Sequence, residues 1–153
     1  MQQLVTLLLA TAVLAVAVEL PSKKYINLGA IKTMVAAAEA EAQKRNVSVT
    51  ICIVDESGNL LFLQKGETAS LNTIQFAQRK ARHAAAFGSP SKNAADNLAK
   101  GNTAVLAYPS AFPNQGGLPI RVDGQVLGGI AASGAASEVD EAIAQVAIDA
   151  LLK

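Results

Sequence analysis

Between Leu28 and Arg45 apolar residues recur at steps of four, three and four: Ile31, Val35, Ala38 and Ala42 share one side, with Lys32, Glu39, Glu41 and Lys44 between them. That period predicts an amphipathic helix. Asn27 stands where a side-chain oxygen can cap its first turn, and Asn46 ends it. From Val47 to Asp55 the pattern changes to a β-branched run, which predicts a strand. Glu56-Ser57-Gly58-Asn59 supplies a turn, and Leu60 to Gln64 returns as the paired strand.

A second helix, capped by Ser70 or Asn72, is expected to run to Phe87, where Gly88 and Pro90 stop it. Ser91 to Lys100 reads as a short helix, Ala104 to Tyr108 as a strand, and Pro109 to Gln115 as a loop. Leu118 to Val122 and Gln125 to Ala132 flank Asp123-Gly124, a strong hairpin signal because Gly tolerates the positive φ that a tight reversal demands. Ser137 is expected to cap a last helix through Leu152, with Val139, Ile143, Val146 and Ala150 on its buried side. Glu138 and Asp140 in its first turn suit the positive end of the helix dipole.

Hairpins separated by helices predict an α+β domain: a central antiparallel sheet of about five strands with helices packed beside it. Glycine is dense around the second hairpin, with Gly116 and Gly117 leading in and Gly128 and Gly129 inside its return strand. Glycine in a strand marks a bulge or a close approach to the backbone. A dinucleotide fingerprint is excluded, since that motif needs a strand-to-helix turn and Gly128-Gly129 lies mid-strand.

Composition adds limits. Hydrophobic residues make up 51% of the chain but aromatics only 4%, with no Trp, so the core must be aliphatic. With 13 basic and 12 acidic residues the net charge is +1, and no basic run calls for nucleic acid. One cysteine, Cys52, permits neither an internal disulfide nor a Cys-rich metal site, and its apolar strand makes it a buried hydrophobe. Residues 1–17 read as a signal peptide: Leu4 to Val18 is uncharged and apolar, Ala15-Val16-Ala17 has the small-x-small form of a cleavage site, and the run is short for a membrane span. The expected organisation is a leader over 1–17 and one domain over 18–153, extracytoplasmic and without a stable membrane span after cleavage.

Four segments together resemble the GlcG/HbpS-like family, also met as the C-terminal domain of PduO-type proteins. They are Ile53-Val54-Asp55-Glu56-Ser57-Gly58-Asn59-Leu60, Arg79-Lys80-Ala81-Arg82-His83-Ala84-Ala85, Gly116-Gly117-Leu118-Pro119-Ile120, and Gly128 to Gly134 with the following Asp140-Glu141. The resemblance spans about Leu28 to Leu152. It implies a profilin-like fold, assembly into dimers or larger rings, and haem or a related tetrapyrrole as ligand, with one branch linked to haem degradation and iron. Many members carry Thr where this chain has His83.

His83 is the only histidine. On an ideal helix Phe76, Lys80, His83 and Phe87 lie along one stripe. In the light of the resemblance, His83 is the candidate iron ligand, Phe87 a contact for the macrocycle, and Arg79, Lys80 or Arg82 partners for propionates. Gly116 and Gly117 could present bare backbone N–H groups to a carboxylate or propionate, or could let the chain cross a helix closely. Glu138, Asp140 and Glu141 read as an acidic helix start. No catalytic residue is assigned. The leading expectation is an exported, homo-oligomeric, small-molecule binding protein with haem as first ligand. The alternatives are an enzyme of the same fold acting on a small carboxylate-bearing metabolite and a structural oligomeric subunit.

Overall fold

The computed structural model describes residues 18–153, so the expected leader lies outside the described residues. Chain order is α1 (Leu28–Lys44), β1 (Thr50–Asp55), β2 (Leu60–Lys65), α2 (Thr73–Phe87), α3 (Ser91–Ala99), a 3-10 turn (Thr103–Ala107), β3 (Gly117–Val122), β4 (Gln125–Ser133) and α4 (Ser137–Leu151). The strands form one antiparallel sheet in the order β2-β1-β4-β3. The α+β class stands, but the sheet has four strands. Ala104 to Tyr108, expected as the fifth, is mostly 3-10 turn, its start capped by Asn102 Oδ1 accepting from the Ala104 N–H. The run is apolar but largely exposed, with no neighbouring edge to join.

Local chemistry sets several ends. Asn27 Oδ1 accepts from the Ala30 N–H at 2.8 Å, the expected cap of α1. Asp55 Oδ1 accepts from the N–H groups of Ser57 and Asn59, closing the first hairpin around Gly58 at φ +81. Asp123 and Gly124 both take positive φ, which produces the tight second reversal. Gly88 ends α2 in the left-handed region. At α4 the capping position is Ala136 rather than Ser137, and no side chain caps that helix.

Both faces of the sheet are covered. Ile51 and Ile53 of β1 join Ile130 and Ala132 of β4, Leu118 and Ile120 of β3, and residues of α1 and α4 in one aliphatic core. Cys52, Val54 and Ala131 point the other way, against Ala77, Ala81 and Ala85 of α2. Strand β1 is therefore buried on both sides, as its unbroken β-branched run requires. Burial pushes the Cys52 thiol up to about 12, with Arg82 acting weakly against the shift, so it remains protonated.

Candidate functional site

Helix α2 lies on the sheet chiefly through small residues. A Cβ on Gly129 would meet the Ala81 carbonyl oxygen at 2.1 Å, and one on Gly117 would meet the Lys80 carbonyl oxygen at 2.3 Å. The backbone of α2 is thus in direct contact with β3 and β4, and a helix of this chain occupies the close-approach site that the glycines mark. Two polar groups of the lead-in also find partners within the chain. Gly117 donates its N–H to Ser91 Oγ at 2.9 Å, and the Gly116 carbonyl accepts from the Ala132 N–H. Ser91 Oγ in turn donates to the Asn114 carbonyl at 2.6 Å. Of the two roles expected for Gly116 and Gly117, the close crossing of a helix is the one this packing supplies.

Lys80 also departs from expectation. It lies on the alanine side of α2 and is 2% exposed. Its Nζ pairs with Asp140 Oδ2 at 2.8 Å and donates to the Ala132 carbonyl at 3.2 Å. Asp140 Oδ1 accepts from the Ala135 N–H. Lys80 therefore joins α2 to the start of α4 around the end of β4, enclosed and away from any surface propionate. The same pair removes Asp140 from the acidic helix start, and no group of three metal-binding side chains forms among the described residues.

The neighbouring margin of α2 has a different character. Only six aromatic residues occur in the chain, and four of them gather here. Phe87 stacks on His83 with ring centres 4.6 Å apart, Tyr108 meets Phe87 edge-on at 5.8 Å, and Phe112 meets Phe76 at 5.5 Å. The Arg79 guanidinium lies 4.2 Å over the Phe112 ring. Phe87 and Tyr108 remain 40% and 57% exposed, so this is not core packing.

His83 is itself 2% exposed. Its Nδ1 accepts from the Phe112 N–H at 3.0 Å, which makes the neutral ring carry its proton on Nε2. Burial lowers its pKa below the ordinary histidine value, and a backbone hydrogen bond with Ser110 acts in the other direction. The segment from Tyr108 to Phe112 thus forms a strap over the imidazole. Two cavities flank this strap. One, of about 300 Å³, has His83, Phe87, Val105 and Tyr108 in its wall. The other, of about 410 Å³, is lined by Arg79, Arg82, Pro109, Ser110 and Ala111.

These residues suit a flat, anionic macrocycle in chemistry: apolar ring faces, an imidazole, and two exposed guanidinium groups one helical step apart. Arg82 uses its Nε on the Gly58 carbonyl and keeps its terminal nitrogens. The sequence brought out Phe76, His83 and Phe87 through helical spacing, and Arg79 and Arg82 through the family resemblance. It missed Tyr108 and Phe112, which arrive from a loop. It missed the Lys80–Asp140 pair too, although Lys80 among Ala77, Ala81 and Ala84 signals a buried cation in need of a carboxylate.

Comparison with known proteins agrees with the fold and with the family resemblance. Protein GlcG of Escherichia coli K12 is 35% identical over 100 residues, covering 65% of this chain and 75% of GlcG. The crystal structure of Klebsiella pneumoniae protein ORFY superposes with a TM-score of 0.82 at 26% identity, over 90% of this chain and 98% of that one. The PduOC:haem complex superposes with a TM-score of 0.77 at 27% identity, over 83% of this chain and 95% of that one. The model of the family described as "Haem degrading protein HbpS-like" matches residues 26–149. With that match spanning nearly all of the folded region, this chain belongs to the HbpS-like family.

Proposed function

We propose that this protein binds haem, or a closely related tetrapyrrole, at the aromatic margin of α2. The observation that carries the reading is the gathering of four of the six aromatics around a lone imidazole, outside an otherwise aliphatic core. The family description and the haem complex of PduOC support it. Phe87 and Tyr108 contact the macrocycle, Arg79 and Arg82 pair with propionates, and His83 is the iron ligand. Ligation needs an imidazole nitrogen free of its backbone partners, so the strap from Tyr108 to Phe112 moves when haem enters. Bound haem would supply redox-active iron; the residues here orient it and shield one of its faces.

The protein is further proposed to be exported, on the strength of the apolar run from Leu4 to Val18 and its small-x-small end. Exposed apolar side chains such as Leu60, Leu61 and Leu106 support assembly into a homo-oligomer. The deciding experiment is a spectral titration of the purified protein with haem. A Soret band saturating at one haem per chain is expected. His83→Ala should change the spectrum and weaken binding on the order of tenfold or more, as loss of a metal ligand does. An unchanged spectrum and affinity would remove His83 as ligand, and no saturable band in wild type would remove haem.

A further inference from the structure

A second, chemically distinct pocket lies at the other end of α2. It holds about 280 Å³ and has Ser70, Asn72, Asn114, Ser133 and Ser137 in its wall, with the Lys80–Asp140 pair among the lining groups. Unlike the aromatic margin, its lining is mostly hydroxyls, amides and charge. Three observations show that its polar capacity is not consumed by the protein. Lys80 has three N–H donors and two protein acceptors, Asp140 Oδ2 and the Ala132 carbonyl. Ser133 is only 3% exposed, and its Oγ makes no hydrogen bond to any described residue. The first turn of α4, which begins at Ser137 beside the pocket, has no side-chain cap, whereas that of α2 already donates to the Ser70 and Leu71 carbonyls.

A buried ion pair is a weak source of stability compared with apolar residues of the same shape. One placed against a polar cavity, with a donor to spare and a serine hydroxyl open to the cavity beside it, has the makings of a binding site. We infer that this pocket binds a small carboxylate that also carries a hydroxyl or amino group. The ligand carboxylate accepts from the third Lys80 N–H and from Ser133 Oγ, and lies near the positive ends of two helices. The ligand's hydroxyl or amine donates to Asp140, whose two oxygens each retain an acceptor site after bonding Lys80 and the Ala135 N–H. A phosphate dianion fits less well, because it would meet the Asp140 charge without a donor to offer. The volume restricts the ligand to a few carbons, since pockets for drug-sized ligands begin at about this size.

The test uses the folded chain without haem, so its result is independent of the aromatic site. Amide chemical shifts are followed while L-lactate, L-serine, acetate and inorganic phosphate are titrated separately. Saturable shifts in the segments 70–80 and 133–140 are expected with lactate or serine, with acetate weaker. Ser133→Ala, a change that leaves the ion pair intact, should weaken binding about ten- to a hundredfold, the worth of one hydrogen bond to a charged group. A melting temperature unchanged within a few degrees would show that the variant is folded; if it is not, Asn114→Ala serves as the second probe of the same wall. Absence of saturable shifts with lactate and serine overturns the site. Phosphate binding more tightly than either overturns the ligand class, and affinity unaffected by both substitutions overturns the placement.

Discussion

Helix α2 has two flanks that differ as sharply as any two regions of this molecule. Against the sheet it presents Ala77, Ala81 and Ala85 over Gly117 and Gly129, so closely that one added carbon would overlap a backbone oxygen. Along its margin it presents His83 and Phe87 to Tyr108, with Phe76 and Arg79 against Phe112, and cavities remain there. The first flank is made of the smallest residues and fixes where the helix lies. The second holds most of the aromatic surface and is left partly open. The contrast teaches that the glycines serve the fold, and that their tight packing holds the margin's chemistry in position.

Adding a side chain at the sheet flank should break this arrangement most severely. Gly129→Val forces α2 off β4, because the carbonyl of Ala81 stands 2.1 Å from the new Cβ and belongs to a helix backbone that cannot yield locally. Overpacking in cores costs about 1–3 kcal/mol when side chains can adjust, and more when they cannot. Chemical denaturation should therefore show a loss above that range, or no folded protein. Gly117→Val should behave in the same way, with the Lys80 carbonyl at 2.3 Å. A Gly117→Val protein of wild-type stability that had lost ligand binding would restore the reading of that glycine as a ligand contact.

Lys80→Met comes next. Removing one partner of a buried pair leaves Asp140 charged and enclosed, which costs about 3–5 kcal/mol. The double replacement Lys80→Met with Asp140→Asn should recover part of that loss, and a double-mutant cycle on unfolding free energy measures the coupling. Two single losses that simply add would show that the pair is not energetically linked.

How much of this was legible in the chain follows from what each signal encodes. Period and turn chemistry are local, so α1, both hairpins, α2 and α4 could be placed, and Asn27 and Asp123-Gly124 act as their residue types dictate. The segment 104–108 misled because an apolar run of that length has no intrinsic strand character without an edge to join. Glycine density announced close approach at Gly117 and Gly129 but not what approaches, since the partner, α2, is distant in sequence. The site divides in the same manner. His83 and Phe87 share a helix and could be linked by spacing, whereas Phe112 meets His83 through a loop whose path no periodicity specifies. Asp140, 60 residues from Lys80, could not be paired with it from spacing alone.

The margin should respond to pH where the sheet flank does not. Burial holds the native His83 pKa below the unfolded value of about 6.5, so the unfolded chain binds the proton more readily. Stability contributed by neutral His83 is present above that value and declines as pH falls through the window below it. Protonation also removes the acceptor for the Phe112 N–H and so loosens the strap. His83→Gln should flatten this part of the profile in denaturation experiments between about pH 7 and 5, the range in which histidine changes charge. A wild-type profile with the same slope as His83→Gln would mean that the ring is not held neutral by its surroundings.

The smallest effect distinguishes two cations one residue apart on the same helix. Lys80 is enclosed and paired, while Arg79 is exposed, resting over Phe112. An exposed cation–π contact is worth about 0.5–1 kcal/mol, so Arg79→Ala should lower stability by no more than that. Its influence on haem should be larger than on folding, because it would remove a charge facing a propionate while leaving the sheet flank untouched. Haem affinity of Arg79→Ala, measured at low and high salt, should fall below wild type mainly at low salt, where exposed charges act over longer distances. Equal affinities for the two proteins at low salt would place the propionates elsewhere and leave Arg79 as a clamp on the strap.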